Sequence, residues 1–359
     1  MKNFMINASL AMAGLLVGFM IVELMVRPHQ AQFVNFILQE RPPLIEAFYK
    51  RLYRYDPRLG WLPLSNVSVK EWSGRASTLD DGFRSNGKQS NIKNGISILA
   101  LGDSFTFGDD VSDTDTWPAF LEQLTRFKVY NAGVSSYGID QTILRLEEEN
   151  LIKKYDPRII ILSIVGDDVH RCIETVRHGA PKPYFKLEND HLILQKQLPF
   201  DKGMDVFRKI LGHSYVCHRI MSSMFPSYWW RGTRREFRSV EGNDLKISEL
   251  LFDRFMKSAQ GRDVVFLIQG VAGEGIDQEQ QEDITPLIEY VKYNYPKVQV
   301  INLVPQLVQL SNKNPSKYKS FFFGYHMTPE GNKFVAQSLA QDIIKFRGLS
   351  MRTPGKTGQ

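Results

Sequence analysis

The chain has 359 residues, 43% hydrophobic and 23% charged, with no low-complexity tract, which supplies a substantial core and excludes a largely disordered protein. Its net charge of +6 comes from scattered basic residues. No helix-turn-helix, RNP or zinc pattern accompanies them, so nucleic acid is not an expected partner, and a surface facing anionic lipid or glycan fits better.

At the N-terminus, residues 8–26 (ASLAMAGLLVGFMIVELMV) have the length and apolarity of a bilayer-crossing helix. Glu23 lies close enough to the end to reach an interface, and Arg27 follows. No small-x-small cleavage pattern follows the run, so residues 1–27 read as an uncleaved signal anchor rather than a leader peptide. Lys2 on one side is matched by Arg27 and Arg41 on the other, and charge alone gives no orientation. The two cysteines, Cys172 and Cys217, allow either one disulfide outside the cytosol or two buried thiols.

Residues 28–94, with FYKRLYRYDPRLGWLPL and TLDDGFRSNGKQSN, read as an extension of a short helix, turns and small strands. A different rhythm begins at residue 95. The apolar runs ISILAL, KVYNAG, RIIILSIV, DVVFLIQG and KVQVINL suit strands buried on both faces, as in a parallel sheet. Helical periodicity lies between and after them: Trp117 to Thr125, Gln141 to Lys154, Leu245 to Gln260, Ile284 to Tyr293 and Pro329 to Phe346. The pattern predicts an α/β domain over residues 95–348, a flavodoxin-like, doubly wound, parallel five-stranded sheet with ligands beyond the carboxyl ends of its strands. An insertion at about 170–245 interrupts it, with a hairpin turning at Asn189-Asp190 and a helical stretch, MDVFRKILGHSYVCHRIMSSMF. The following PSYWWRGTRREFR reads as a basic loop with partly buried tryptophans or, in the other reading, as an interfacial or glycan-facing lip. Residues 349–359 read as a loose tail.

Four segments fall at strand or helix ends on one edge of such a sheet. Gly102-Asp103-Ser104 follows the first core strand, Asn131-Ala132-Gly133 the second and Gly166-Asp167-Asp168 the third. His326 lies on the loop before the last helix, where Thr328 and Pro329 suit the N-cap and first helical position. A serine there attacks an acyl carbon if an imidazole takes its proton and two or three donors receive the oxyanion. Asp103, Asp167, Asp168 and His170 also suggest a metal site, which the common occurrence of such loops argues against, and no metal or other cofactor is expected. His170 reads either as a replacement base near Ser104 or as a cap.

Residues 95–346 resemble the SGNH, or GDSL-type, hydrolase superfamily in Gly102-Asp103-Ser104-Phe105-Thr106-Phe107-Gly108, in Asn131-Ala132-Gly133, and in His326 with Gly331. The resemblance implies Ser104 as nucleophile, His326 as base and the amides of Ser104 and Gly133 in the oxyanion hole. The YDPRLGW and DDGFRSN segments are similar to a membrane-anchored, outward-facing branch, which implies an extracytoplasmic, single-pass protein. Two positions depart from the family pattern. Asp167 stands where the family's Asn supplies the third oxyanion donor, and a carboxylate accepts rather than donates unless it is protonated. Phe323 stands where the family's Asp-x-x-His carries its acid, and no acid occurs between Glu289 and Glu330. The expected activity is hydrolysis or transfer of a carboxylic ester on an acylated cell-surface glycan. A lipid ester is the second expected substrate, and a degenerate protein that binds an acylated or anionic glycan is the rival class.

Overall fold

The computed structural model describes residues 2–26, 50–71, 74–87, 92, 95–177, 180–195, 207–208, 211–212, 214–229, 243–271 and 278–346. The chain divides into two compact units: Arg51–Glu174 with Pro183–Gln197 and Ser239–Gln359 in the larger, and Met1–Lys50, Thr175–Lys182 and Leu198–Arg238 in the smaller.

The larger unit begins with two antiparallel hairpins, β1 (Tyr53–Asp56) with β2 (Gly60–Pro63) and β3 (Ser68–Glu71) with β4 (Gly74–Ser77). The central sheet contains β5 (Ser97–Leu101), β6 (Lys128–Asn131), β7 (Ile159–Ile164), β10 (Asp263–Ile268) and β11 (Gln299–Asn302). All neighbours are parallel, in the order β11-β10-β7-β5-β6, which is the expected flavodoxin-like winding. Between β7 and β10 lies the predicted hairpin, β8 (Tyr184–Glu188) and β9 (His191–Gln195), turning at Asn189 and Asp190 with φ 48 and 60. Positive φ at both central residues is what a two-residue type I′ turn requires.

Alternate residues of each central strand enter opposite cores. Leu99 and Leu101 of β5 and Phe266 and Ile268 of β10 pack on one face, and Ile98, Ala100, Val265 and Leu267 pack on the other. This double burial is why the strands read as unbroken apolar runs rather than as alternating ones.

Around the sheet run α1 (Ser104–Phe107), α2 (Trp117–Thr125), α3 (Ile139–Glu148), α4 (Leu151–Tyr155), α5 (Asp167–Arg171), α6 (Asp244–Ser258), α7 (Gln278–Asn294), α8 (Val304–Lys313), α9 (Pro315–Ser320) and α10 (Pro329–Phe346). The helix expected over Gln141 to Lys154 is two, because Asn150 adopts φ 50 and interrupts the ladder. Thr328 and Pro329 start α10 as expected, the Gly331 amide donating to Thr328 Oγ1 at 3.2 Å. His326, expected on a loop, is on a short strand, β13 (His326–Met327), paired with β12 (Phe322–Phe323).

In the smaller unit, the N-terminal stretch forms a helix over Lys2–Val26. Among the described residues no helix is long and apolar enough to cross a membrane, so the expected transmembrane anchor is not found as such. Glu23, expected at a membrane interface, is used differently: its carboxylate accepts from Ser214 Oγ (2.9 Å) and from the Tyr215 and Val216 amides (2.8 and 3.1 Å). It thus satisfies orphan donors at the start of the helix Tyr215–Met224, where a negative charge is also favoured by the helix dipole. Trp229 ends a helical turn, Pro226–Trp229, where a loop was expected; it is buried and its indole donates to His218 Nδ1 at 2.7 Å. Trp230 and the tail over 349–359 lie outside the described residues. Cys172, in the larger unit, carries a thiol that donates to the Val169 carbonyl.

Candidate functional site

Ser104 is the first residue of α1, so its amide is among those that a helix start leaves without an intrahelical partner. The preceding Asp103 caps this turn by accepting from the Phe105 amide at 2.9 Å. The turn between β5 and α1 is tight enough to require Gly102: at φ +153, a Cβ there would lie 2.5 Å from the Ser163 carbonyl oxygen. Ser104 is thereby fixed at the carboxyl end of β5, beside β7, where the sheet order reverses.

The hairpin of β12 and β13 delivers His326 to this serine. Gly324 has φ +60 at the first of the two central positions, as a type II′ turn requires. Ser104 Oγ donates to His326 Nε2 at 3.0 Å, and His326 Nδ1 donates to Asp110 Oδ2 at 2.8 Å. The serine is 5% exposed, while His326 and Asp110 each keep 22% of their side-chain surface open, enough for a substrate to reach them.

Asp110 is the group that the sequence reading missed. The position three residues before His326 holds Phe323, and the structure takes the acid instead from the loop following Ser104. Gly108 (φ 85) and Asp110 (φ 69) are both left-handed, and together they turn the loop back toward the histidine. Aspartate tolerates that conformation better than most side chains. The adjacent Asp109-Asp110 after Gly108 was the available signal. Phe323 is the cross-strand partner of His326 and is 46% exposed, so it orients nothing through a charge.

Burial works to lower the His326 pKa, but the hydrogen bond to Asp110 and the charges of Asp109, Asp110 and Asp103 outweigh it, and the value is raised above the ordinary imidazole range. Burial is also the main cause that pushes the Asp109 carboxyl up, against the favourable influence of His326 and Ser135. Phe105 and Tyr325 contact His326 edge-on at 5.4 and 5.3 Å between ring centres. A serine, a histidine with the serine-facing nitrogen free to accept, and a carboxylate on its other nitrogen form a chain able to relieve the hydroxyl of its proton.

The remaining predicted residues divide in two. Gly133 packs on the α1 backbone, where a Cβ would come within 2.3 Å of the Phe107 amide nitrogen, and its own amide donates to Asn131 Oδ1 at 3.1 Å. Asp167 accepts from Arg171 Nε at 2.8 Å. The same guanidinium donates through Nη1 to Asp103 Oδ2 at 3.2 Å, to Asp168 Oδ1 and to the Tyr137 carbonyl. Asp103, Asp167 and Asp168 therefore converge on a resident cation, and among the described residues no group of His, Cys, Asp and Glu is placed to hold a metal. His170 Nδ1 is paired with Asp244 Oδ2, whereas the imidazole hydrogen-bonded to Ser104 Oγ is that of His326.

No protein-family model matches the chain, and no curated protein matches it. Solved structures do. A lipolytic protein of the G-D-S-L family from Desulfitobacterium hafniense aligns at 15% identity over 69% of this chain and 99% of its own, with a TM-score of 0.41. An acetyl xylan esterase, AlAXEase, aligns at 15% identity over 69% and 100%, also at 0.41. A catalytic mutant of the acetylxylan esterase Axe2 from Geobacillus stearothermophilus aligns at 12% identity over 74% and 100%, again at 0.41.

Proposed function

We propose that the protein is a serine-dependent carboxylic ester hydrolase or acyltransferase acting through Ser104, His326 and Asp110. The observation that carries this reading is the continuous hydrogen-bond chain from Ser104 Oγ through His326 to Asp110. In the first half-reaction Ser104 Oγ bonds to the acyl carbon while its proton passes to His326 Nε2. The tetrahedral intermediate then collapses, the ester C–O bond breaks, and the leaving alkoxide takes that proton. Water or a sugar hydroxyl repeats the sequence on the acyl-serine, giving hydrolysis or transfer. Asp110 holds the histidine with its proton on Nδ1 and stabilises the imidazolium that forms. The Ser104 and Gly133 amides receive the oxyanion in this reading, and Asp167 stands at the third position.

The favoured substrate is an O-acylated cell-surface glycan. Phe323 and Tyr325, 46% and 41% exposed on either side of the Gly324 turn, offer aromatic faces beside His326 suited to stacking on sugar rings. A lipid ester is the second candidate. An extracytoplasmic location with attachment to a lipid surface belongs to the same reading, supported by the exposed Leu15, Leu16, Met20, Leu24 and Met25 of the N-terminal helix. The rival is a protein that binds an acylated or anionic glycan without turnover. Two observations favour that rival: the Gly133 amide is engaged by Asn131, and Asp167 is an acceptor.

The test is hydrolysis of p-nitrophenyl acetate and acetate release from an O-acetylated glycan by the full chain in detergent. Wild type is expected to turn over, and Ser104→Ala and His326→Ala to fall to the uncatalysed rate. Equal inertness of all three towards short and long esters, alone or with a sugar acceptor, would establish the binding reading.

A further inference from the structure

The loop carrying Asp110 starts from α1, where the Gly108 and Asp109 amides donate to the Ser104 carbonyl at 2.8 and 3.1 Å. Its further course is held by the N-terminal extension. Arg84, 1% exposed, donates through Nη1 to the Gly108 carbonyl (3.2 Å), through Nη2 to the Val111 carbonyl (2.8 Å) and through Nε to Asp113 Oδ1 (2.9 Å). The first two carbonyls bracket Asp109 and Asp110. The guanidinium also lies 4.8 Å from the centre of the Phe107 ring, on the last turn of the helix that Ser104 opens. The Arg84 amide donates to the Asn131 carbonyl at 3.0 Å, fastening this residue to the end of β6.

A second strand of contacts reaches the same loop from β1. The Ser135 amide donates to the Tyr53 hydroxyl (3.3 Å), which donates to Ser135 Oγ (2.6 Å), which in turn donates to Asp109 Oδ1 (2.6 Å). Asp110 adopts left-handed φ, a conformation that persists only when its surroundings over-determine it. A buried planar fork with five donors, spread over two carbonyls and a carboxylate on one short loop, supplies that determination.

We propose that Arg84 is a positioning residue of the reactive triad, fixing the curve of the Gly108–Asp113 loop and so the reach of Asp110 to His326. The inference rests on the catalytic reading given above. It makes the extension, with Tyr53 as a lesser second contact, part of the machinery rather than a spacer. Lysine at this position keeps a positive charge near Asp113 but cannot span both carbonyls.

The decisive experiment measures ester turnover and the His326 titration, by NMR of the imidazole, in full-length wild type, Arg84→Lys, Asp110→Asn and the double variant. The charged and titratable groups facing His326 are Asp103, Asp109, Asp110 and Tyr325, and only Asp109 and Asp110 lie on the loop that Arg84 holds. Arg84→Lys is expected to lower kcat about ten- to a hundredfold with little change in KM, the size of effect that a small misplacement produces. It is also expected to lower the His326 pKa towards its ordinary value. In the Asp110→Asn background the same substitution is expected to change kcat less than about twofold, because a residue acting through Asp110 has nothing left to position. Equal losses in both backgrounds, or an unaltered His326 titration in a folded Arg84→Lys, overturn the proposal. Should Arg84→Lys not fold, Asp113→Asn, which weakens one arm of the fork, decides by the same two readouts. Because the titration needs no turnover, its result stands even if no ester is cleaved, and absence of Ser104-dependent activity in wild type counts against the catalytic reading alone.

Discussion

Two segments at the same sheet edge each carry adjacent aspartates, and they have been put to opposite uses. In the loop after α1, Asp110 faces His326, and its carboxylate raises the basicity of an imidazole that contacts Ser104. In α5, Asp167 and Asp168 face Arg171, together with Asp103. A carboxylate beside a titrating base tunes chemistry, whereas carboxylates around a guanidinium settle into a fixed ion cluster. The local sequence is nearly the same, Gly-Asp-Asp in both, so the difference is made by the residue each pair meets across the fold.

The largest effect comes from breaking the first pair. Asp110→Asn is expected to reduce kcat by up to about 10⁴, the cost of losing the orienting acid in a Ser-His-Asp site. Its pH profile is equally diagnostic. His326 must be neutral to accept the Ser104 proton, so wild-type activity rises with pH through a value above the ordinary imidazole pKa, and without Asp110 that limb moves to lower pH. For stability the sign is the reverse: a raised folded-state pKa contributes below the unfolded value and is lost as pH rises through the folded one. The stability deficit of Asp110→Asn relative to wild type is therefore expected to be greatest in mildly acid conditions, just below the ordinary imidazole pKa, and to shrink towards alkaline conditions, as urea midpoints would record.

Breaking the second cluster tests structure rather than chemistry. Arg171→Met leaves three carboxylates without their cation, two of them buried, and is expected to destabilise by about 3–5 kcal/mol. Burial and repulsion from Asp103 push the Asp168 carboxyl well up. Burial alone would lower Arg171, but Asp168, Asp167 and Asp103 outweigh it and hold the guanidinium firmly charged. The two directions agree, since one cation among three acids leaves room for a proton on Asp168. A folded-state pKa raised in this way contributes most at low pH and loses its contribution as pH rises past the ordinary carboxylate range. The variant's deficit should accordingly widen with rising pH, the opposite trend to Asp110→Asn.

What was legible in the sequence follows from range. The five strands and the positions of Ser104 and His326 were readable because double burial, β-branched runs and an N-capped final helix are local signals. Asp110 was not, because its pairing with His326 depends on two left-handed residues folding one loop onto a distant hairpin. The role of Arg84 was hidden for the same reason: its partners lie on the backbone of another segment, and carbonyls carry no side-chain signature. Glu23 misled in the opposite direction, since a carboxylate near the end of an apolar helix suits an interface as well as it suits the neighbouring helix start that it caps.

The smallest expected effect is the sharpest discriminator within α5. Asp167→Asn keeps the shape of the side chain and replaces an acceptor with a group that also donates. Its ion pair with Arg171 involves a carboxyl that is 30% exposed, so its loss costs little stability, on the order of 1 kcal/mol or less. If the third oxyanion position is open to this side chain, the new donor should raise kcat, by about tenfold against the 10²–10³ that a fully formed donor supplies in serine hydrolases. Asp167→Ala separates the alternatives. A neutral Asp167 that donates would make alanine slower than wild type and would make wild-type activity decline as the acid ionises with rising pH. An Asp167 held as an acceptor by Arg171 makes alanine equal to or faster than wild type, with no such alkaline decline. The accepting geometry at 2.8 Å favours the second outcome, and with it the ranking asparagine above alanine, and alanine at or above aspartate.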